Sequence, residues 1–380
     1  MKRFCCLILL SCMLIGTVAF AGAAAPEVPA KSALLMDVAT GTILYESNAH
    51  EKLPPASVTK VMTMLLIMEA IADGRLTWED TVTASENAAA KGGSQIYLKE
   101  GETMTVTDMV KAIAVSSAND CACAMAEHLC GSEEAFVERM NQRAGELGMA
   151  DTHFVNCTGL DDGPEGKNHV TSAYDIALMS RQLLKYHPEI TKFTTIWMDT
   201  VRNGQFGLSN TNKLVRFYEG ATGLKTGFTT AAGYCLSASA AREDLELVAV
   251  VMGCQTSKER LAACKTLLDF GFANYCLVRP QVQGGTVQVR LGKTDTVTAV
   301  PGQAPALLLE KAQKGQLQVT TQLEPEVTAP VYQGQRLGTL TVRIGEQTLT
   351  QIPLVAGQTV ERLGFWALLW NMLKDLSMAK

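Results

Sequence analysis

The hydrophobic pattern of the chain changes near residue 276, and this change limits the folds that the chain can adopt. Before it, segments such as 60–71 and 132–147 have helical periodicity, with strand-like segments on both sides of this helical region. After it, short alternating runs are separated by Gly or Pro turns, as is typical of a small all-β domain. The pattern predicts an α/β unit over 26–275 and a small β-sandwich domain over 276–357.

The composition indicates a folded protein without a nucleic-acid partner. The 380 residues are 47% hydrophobic and 19% charged, which suffices for two cores. The net charge is -5 and there is no Lys/Arg-rich run, which argues against nucleic-acid binding. The five His residues include no pair at metal-ligand spacing, and no Gly-rich phosphate loop follows a strand. We therefore expect no metal and no cofactor.

The N-terminal segment has the features of a secretory signal. Lys2 and Arg3 precede an apolar run, and small residues near Ala21 and Ala25 offer cleavage sites. An uncleaved membrane anchor is the alternative, but the Ala-rich exit followed by Pro26 favours cleavage. We expect residues 1–25 to be a signal peptide and the protein to act outside the cytoplasmic membrane.

The C-terminal segment, residues 358–380, predicts a membrane-associated helix. Its apolar stretch of about 14 residues is shorter than the roughly 20 needed to cross a bilayer. A narrow polar stripe and a wide apolar face with Trp366 and Trp370 suit a helix in the plane of the headgroups. The alternative is a helix docked on the protein's own core. We expect peripheral attachment to the outer face of the membrane.

The cysteines that follow the signal segment are predicted to be buried free thiols. Most lie in apolar, small-residue segments, where Cys behaves as a small hydrophobic residue, although exported proteins also form disulfides. Cys121 and Cys123 are too close in sequence for an easy bridge or a usual zinc pair. The eight residues are Cys121, Cys123, Cys130, Cys157, Cys235, Cys254, Cys264 and Cys276.

Ser57 and Lys60 follow a double proline at the start of an apolar helical run. Residues three apart on a helix share a face, so the amine can reach the hydroxyl. A lysine whose pKa is lowered can then take the proton of a nucleophilic serine. The alternative is a helix-capping serine beside a surface lysine, and the pair alone does not decide between the two.

Two later segments carry further polar groups. Ser117 and Asn119 lie in a break between helical stretches. They form a capping turn, or else Ser117 supplies a hydroxyl that relays protons and Asn119 an amide that holds Lys60. Lys225 and Gly227 share one face of a predicted strand. This strand is either an edge strand that carries an exposed lysine or a strand that pairs with a substrate.

Together, the motifs SVTK at residue 57, SAN at 117 and KTG at 225 resemble the motif set of penicillin-binding proteins and β-lactamases. Residues 30–275 resemble the serine D-alanyl-D-alanine carboxypeptidases, which are the low-molecular-weight penicillin-binding proteins. The resemblance extends beyond the motifs to sequences such as ASENAAAKGGSQIYLKEGETMTVTDMVKAIAVSSAND. The resemblance implies a β-lactamase/transpeptidase-like domain, with an antiparallel sheet, helices and a helical subdomain. The β-rich region and the tail match that family's layout.

The resemblance also implies catalytic roles. Ser57 attacks the carbonyl between two D-alanines, becomes acylated and releases the terminal D-Ala, while Lys60 acts as its general base. Lys60 is also the expected base for deacylation. Ser117 passes a proton to the leaving amine, and Asn119 orients Lys60 and the substrate amide.

Substrate binding is implied for a second group of residues. Lys225, Thr226 and Gly227 form the substrate strand, in which Lys225 and Thr226 bind the terminal carboxylate together with Arg260. The backbone N–H of Phe228, with that of the nucleophile, forms the oxyanion hole. Family members often carry His where this chain has Phe228.

The resemblance predicts a carboxypeptidase that trims the pentapeptide stem of peptidoglycan in cell-wall biogenesis and remodelling, and that β-lactams acylate. Three alternatives stay open at this stage: a β-lactamase, an endopeptidase that cuts D-Ala cross-links, and an inactive penicillin-binding envelope protein. The middle motif is Ser-Ala-Asn and not Ser-Asp-Asn, which counts against a class A β-lactamase.

Overall fold

The computed structural model describes residues 25–161, 166–280, 284–302 and 305–370. The predicted signal segment, apart from Ala25, and the last ten residues of the predicted tail helix lie outside the described residues.

A five-stranded antiparallel sheet forms the centre of the first part of the chain, in the order β2-β1-β9-β8-β7. Two short antiparallel strand pairs, β3 with β4 and β5 with β6, lie outside this sheet. The strands are β1 (Ser32–Asp37), β2 (Ile43–Ser47), β3 (Thr81–Thr83), β4 (Thr103–Thr105), β5 (Met198–Val201), β6 (Phe206–Ser209), β7 (Ala221–Thr229), β8 (Gly233–Arg242) and β9 (Leu245–Cys254).

Helices cover both faces of this sheet and build a helical subdomain beside it. The predicted helical stretch from 106 to 129 is interrupted at 117–118, as the SSAND segment indicated. The helices are α1 (Lys60–Ala72), α2 (Glu86–Ala89), α3 (Val106–Ser116), α4 (Asn119–Cys130), α5 (Glu133–Glu146), α6 (Ala173–Tyr186), α7 (Thr191–Thr194), α8 (Leu214–Phe217) and α9 (Ser257–Asn274).

Strand β1 explains why two layers of helices are needed. All six of its residues are buried, and they face two hydrophobic cores in alternation. Leu34 and Met36 belong to the core that contains α1 and α6, whereas Ala33 and Leu35 belong to the core that contains α9. A strand that is apolar on both faces requires cover on both sides.

Helix α1 is apolar around most of its circumference and runs through the larger core, with every residue from Lys60 to Met68 buried. Hydroxyl side chains cap the helices around it. Thr105 accepts a backbone hydrogen bond at the start of α3, and Ser132 and Ser172 do so for α5 and α6. These caps fix where the helices begin and therefore where the polar residues between them lie.

The β-rich part of the chain has a hydrophobic core of its own, which includes Val287, Leu340 and Leu354. Six strands form one sheet in the order β14-β16-β17-β12-β11-β15, and β10 pairs with β13. The strands are β10 (Tyr275–Val278), β11 (Gly285–Arg290), β12 (Thr296–Pro301), β13 (Leu307–Glu310), β14 (Leu317–Leu323), β15 (Glu326–Thr328), β16 (Arg336–Ile344) and β17 (Gln347–Ala356).

The chain stays attached to this sheet beyond residue 357, because Val360 bridges to Val331 and Arg362 to Gly292. Helical backbone then covers 365–370, where Trp366 is 78% exposed and Trp370 70% exposed. Among the described residues, no helix combines the length and apolarity that crossing a membrane requires.

Candidate active site

Ser57 lies in a short 3-10 turn, Ala56–Thr59, that leads directly into α1. The sequence predicts a helical run from Lys60 with Ser57 at its entry, and the α-helix begins at Lys60. Ala56 has a positive φ of 49°, so the backbone bends sharply just before the serine. Ser57 is partly exposed, whereas Lys60 is fully buried beneath it. A substrate can therefore reach the hydroxyl but not the amine.

The Lys60 amine has three oxygen atoms within hydrogen-bond distance. Its Nζ is 2.9 Å from Ser57 Oγ, 2.5 Å from Asn119 Oδ1 and 2.9 Å from the Thr158 carbonyl oxygen. The amide and carbonyl oxygens can only accept, so they take two N–H groups of the amine. A neutral amine has one lone pair left, and this lone pair is directed at the Ser57 hydroxyl. The geometry suits a base that removes the hydroxyl proton.

The orientation of Asn119 follows from its two contacts. Its Nδ2 donates to the Gly92 carbonyl at 2.7 Å, so Oδ1 is the atom that faces Lys60. The backbone N–H of Asn119 donates to the Ser94 carbonyl at 2.7 Å. Asn119 is buried as the first residue of α4, and the segment between α2 and β4, which contains Gly92 and Ser94, holds the amide in place.

Burial sets the protonation of the base. Desolvation lowers the pKa of Lys60 from its ordinary value to about 7, while the neighbouring Cys157 and Asp120 partly oppose the shift. A substantial fraction of Lys60 is then neutral at physiological pH, which an exposed lysine would not be. The structure therefore excludes the surface lysine that was the alternative for this position.

Ser117 ends α3 in a left-handed conformation, with φ 64° and ψ 29°. It is buried, with a relative exposure of 4%. One residue separates it from Asn119, so the same break between helices positions both. The turn is the capping turn that the sequence allowed, and it also places a hydroxyl beside the residue that contacts Lys60.

Strand β7 is the edge strand of the sheet, and it lies directly against the turn that carries Ser57. A Cβ at Gly227 would be 2.6 Å from the Pro55 carbonyl oxygen and 3.1 Å from the Ser57 backbone nitrogen. Only glycine permits that approach. Lys225 on the same strand is 1% exposed, so it is not the exposed edge-strand lysine of the alternative reading.

Positive charges converge behind this strand. Burial, and then the charges of Lys60 and Arg260, hold the pKa of Lys225 well below its ordinary value. An anion bound here would offset the positive charge of Arg260 and of protonated Lys225. The arrangement suits the carboxylate of a ligand.

The remaining predicted residues take different positions. Thr226 donates from Oγ1 to Thr211 Oγ1 at 2.7 Å. Arg260 is buried and donates to the Gly227 carbonyl at 3.2 Å, while its Nε has no hydrogen-bond partner among the described residues. It therefore supports the strand from behind. The Phe228 side chain is 52% exposed and lies against Tyr234, with the ring centroids 4.3 Å apart.

Sequence reasoning missed the residues that act on the site through their backbone or through a second partner. Thr158 supplies a carbonyl to Lys60, and Thr211 contacts Thr226. Gly159 has φ +83°, and a Cβ there would be 1.8 Å from the Ala56 carbonyl oxygen. These residues are scattered and have no motif spacing. Only the sequence CTGLDD around Thr158, which lies within the residues 30–275 that resemble the family, could have indicated Thr158 and Gly159.

His169 supports the nucleophile turn from below. Its Nδ1 accepts the Val155 backbone N–H at 3.2 Å, so its Nε2 carries the proton and donates to Thr59 Oγ1 at 2.8 Å. Thr59 in turn donates to the Ala56 carbonyl at 2.9 Å. Burial lowers the pKa of His169 to about 4, which keeps the ring neutral in this role.

Comparisons with known proteins agree with this geometry. A family model described as D-alanyl-D-alanine carboxypeptidase matches residues 19–256, and one described as Penicillin-binding protein 5, C-terminal domain, matches 278–362. The chain is 42% identical over 358 residues to D-alanyl-D-alanine carboxypeptidase DacF of Bacillus subtilis, which covers 92% of this chain and 91% of that relative. It is 33% identical over 363 residues to DacC of Escherichia coli, covering 92% and 88%.

Solved structures of penicillin-binding proteins resemble this fold over 65–90% of the chain. Penicillin binding protein 5 from Haemophilus influenzae superposes with a TM-score of 0.74 at 28% identity, covering 90% of this chain and 100% of that one. Penicillin-Binding Protein D2 from Listeria monocytogenes, in its ampicillin-bound form, superposes with a TM-score of 0.59 at 33% identity, covering 65% of this chain and 100% of that one. These matches confirm the predicted fold class, a catalytic α/β domain followed by an all-β domain.

Proposed function

The chain belongs to the D-alanyl-D-alanine carboxypeptidase family, and on this premise we propose that it removes the terminal D-alanine from peptidoglycan stem pentapeptides through an acyl-enzyme on Ser57. The observation that carries the proposal is the contact between Ser57 Oγ and the Nζ of a buried lysine whose pKa is lowered to about 7. The protein is a serine carboxypeptidase that acts on the cell wall.

The acylation step transfers one proton to Lys60. Ser57 Oγ bonds to the carbonyl carbon of the penultimate D-alanine as its proton moves to the Lys60 amine. The backbone N–H groups of Ser57 and Phe228 stabilise the oxyanion. The C–N bond then breaks, and a proton passes through Ser117 to the leaving amine. Water hydrolyses the ester, with Lys60 as the base, and restores the serine.

Recognition of a chain end distinguishes a carboxypeptidase from an endopeptidase. The terminal carboxylate binds Lys225 and Thr226, and the nearby charge of Arg260 strengthens the positive potential at that end of the site. The support for this role is that burial and the neighbouring basic groups lower the pKa of the buried Lys225, since a bound carboxylate would stabilise its protonated form. A β-lactam carries a carboxylate beside its reactive amide and acylates Ser57 in the same way.

The test is to incubate the purified protein with a pentapeptide ending in D-Ala-D-Ala and, separately, with labelled penicillin. We expect stoichiometric release of one D-Ala per peptide and a covalent penicillin adduct that persists for longer than one turnover of the peptide. Absence of D-Ala release from a protein that binds penicillin would contradict the proposal and indicate an inactive envelope protein. Rapid turnover of penicillin without an adduct would indicate a β-lactamase, and cleavage of cross-linked dimers alone would indicate an endopeptidase.

We also propose how the protein is placed in the cell. Residues 1–25 direct export, 26–275 form the catalytic domain, 276–357 form the β domain, and the tail holds the protein on the outer face of the membrane. The exposed Phe365, Trp366 and Trp370 support the last point, because three large aromatic side chains on one short helical segment form an apolar surface that a membrane can cover.

Deleting residues 364–380 is expected to release the protein from membranes, because it removes the aromatic surface and keeps the bridge between Arg362 and Gly292. Each large apolar side chain that leaves water contributes about 1.5–3 kcal/mol, so losing several reduces the bound fraction to near zero. The measurement is co-sedimentation with liposomes. The control is Phe217→Ala, which removes an aromatic side chain that is 73% exposed elsewhere on the protein. Unchanged sedimentation of the truncated protein would refute the anchor.

A further inference from the structure

Two buried thiols and a buried carboxylate converge beside the active site, in a place that the mechanism above does not use. Cys123 lies on α4, Glu133 is the first residue of α5, and Cys157 lies in the loop before Thr158. Their donor atoms all lie within 4.8 Å of one another. Cys123 and Cys157 are fully buried, and Glu133 is 9% exposed. They are far apart in the sequence, so only the fold brings these donors together.

The side chains of this cluster are already directed at a common point. The Cys157 thiol donates to Glu133 Oε1 at 3.2 Å, and the Cys123 thiol contacts Glu133 Oε2 at 3.7 Å. Cys157 also donates its backbone N–H to Glu133 at 3.3 Å, and Asn87 Nδ2 donates to Cys123 Sγ at 3.2 Å. These contacts fix the rotamers, so a ligand would not need to reorganise the site before binding.

A cation already lies at the edge of the cluster. Lys91 Nζ is 2.5 Å from Glu133 Oε2, and its side chain is 20% exposed. The Glu133 carboxylate therefore already pairs with one positive charge at this edge of the cluster. The flexible lysine also covers the side through which a small ion can enter from solvent.

We propose that Cys123, Glu133 and Cys157 bind one zinc ion in a structural site. The exchange conserves charge: one Zn²⁺ replaces the two thiol protons, which leave to solvent. Before binding, the charges of the four side chains sum to zero, because both thiols are neutral and protonated Lys91 offsets the Glu133 carboxylate. After binding, the charge of the ion offsets the two thiolates, so the total charge is again zero. Binding therefore adds no net charge to a buried region, which removes the largest cost of placing an ion there.

Zinc is the ion that these donors favour. Thiolates select zinc over magnesium or calcium, which prefer oxygen donors. Zn–S bonds of about 2.3 Å in a tetrahedral site place two sulfurs about 3.8 Å apart, a separation compatible with donor atoms that already lie within 4.8 Å of one another. Water completes the coordination on the Lys91 side.

The site would stiffen the segment that holds the catalytic base. The Cys157 carbonyl accepts from Thr63 Oγ1 at 2.7 Å, and the next carbonyl, that of Thr158, accepts from Lys60 Nζ at 2.9 Å. An ion that fixes the Cys157 side chain also fixes this backbone. The role is structural, because the ion contacts neither substrate nor Ser57.

The test is to treat the reduced, mature full chain with zinc sulfate, remove free metal on a desalting column, and measure bound metal by mass spectrometry. We expect about one zinc per wild-type chain, and below about 0.1 for Cys123→Ser and for Glu133→Gln, because two remaining ligands do not retain the ion. The matched control is Cys264→Ser, which removes another fully buried thiol outside the cluster and should keep one zinc. Penicillin labelling confirms that each variant is folded.

Cobalt in place of zinc gives a second readout on the wild-type chain. We expect thiolate-to-cobalt charge-transfer absorption in the near ultraviolet, which Cys123→Ser weakens and Cys264→Ser does not. The proposal is overturned if the folded wild-type chain retains no zinc, if Cys123→Ser still holds one equivalent, or if the cobalt spectrum shows oxygen ligands only. A mass two units low, which reports a disulfide between the thiols, together with no bound zinc also overturns it.

Discussion

Ser57→Ala is expected to lower D-Ala release by about 10³-fold or more and to abolish the covalent penicillin adduct, because it removes the atom that forms the ester. The Ser57 hydroxyl contacts a buried amine and is itself partly exposed, so a substrate can reach it. The measurement is release of D-Ala from a pentapeptide, with intact-protein mass after exposure to penicillin.

The matched control is Ser47→Ala on β2, which should react at the wild-type rate. The fold should survive the Ser57 change, since the turn is held by contacts that do not involve the Ser57 hydroxyl, such as the hydrogen bond from Thr59 Oγ1 to the Ala56 carbonyl. Thermal unfolding within a few degrees of the wild type would establish this. An adduct of normal mass on Ser57→Ala would place the nucleophile elsewhere.

The rate of acylation is expected to rise with pH through about 7, because only the neutral Lys60 amine has a lone pair for the serine proton. Below that pH the amine is protonated, so acylation at pH 6 should be about a tenth of its plateau above pH 8. The measurement is the acylation rate at saturating penicillin. Saturation matters because the pKa of Lys225 is also lowered, and loss of its proton at high pH weakens carboxylate binding.

Lys60→Arg is the variant that tests the cause of this profile. The guanidinium stays protonated throughout the range, so acylation should fall by about 10²–10⁴-fold and lose its rise near pH 7. Lys265→Arg on the exposed face of α9 is the control and should keep the wild-type profile. A wild-type rate that is flat between pH 5.5 and 8.5 would show that Lys60 is not the base.

The local spacing of motif residues was readable from the sequence. Ser57 and Lys60 are three residues apart at the start of a helix, and backbone geometry alone brings such a pair together. The break between α3 and α4 was predictable because Ser, Asn and Asp favour caps and turns. In each case the interaction lies within one or two turns of the chain, which is the range over which sequence patterns determine structure.

The rest depends on packing between segments that are distant in the sequence. The contact between Lys60 and the Thr158 carbonyl spans 98 residues. Every residue has a backbone carbonyl, so the residue type does not reveal this contact. Gly159 is needed because Ala56 lies against it, which no local pattern reveals. The cysteines were correctly predicted as free and mostly buried. The grouping of Cys123 and Cys157 with Glu133 was not predictable, because it depends on the packing of α4, α5 and a loop.

The contacts of Lys60 make reaction with penicillin a measure of folding. Its acceptors Asn119 and Thr158 lie 59 and 98 residues along the chain, so the amine is desolvated and aligned only when all three segments are packed. In an unfolded chain the same lysine is hydrated and protonated, and the serine beside it is an ordinary alcohol. The amount of covalent penicillin adduct therefore equals the amount of folded protein. It can report, in a crude cell extract, what share of the protein has completed its fold.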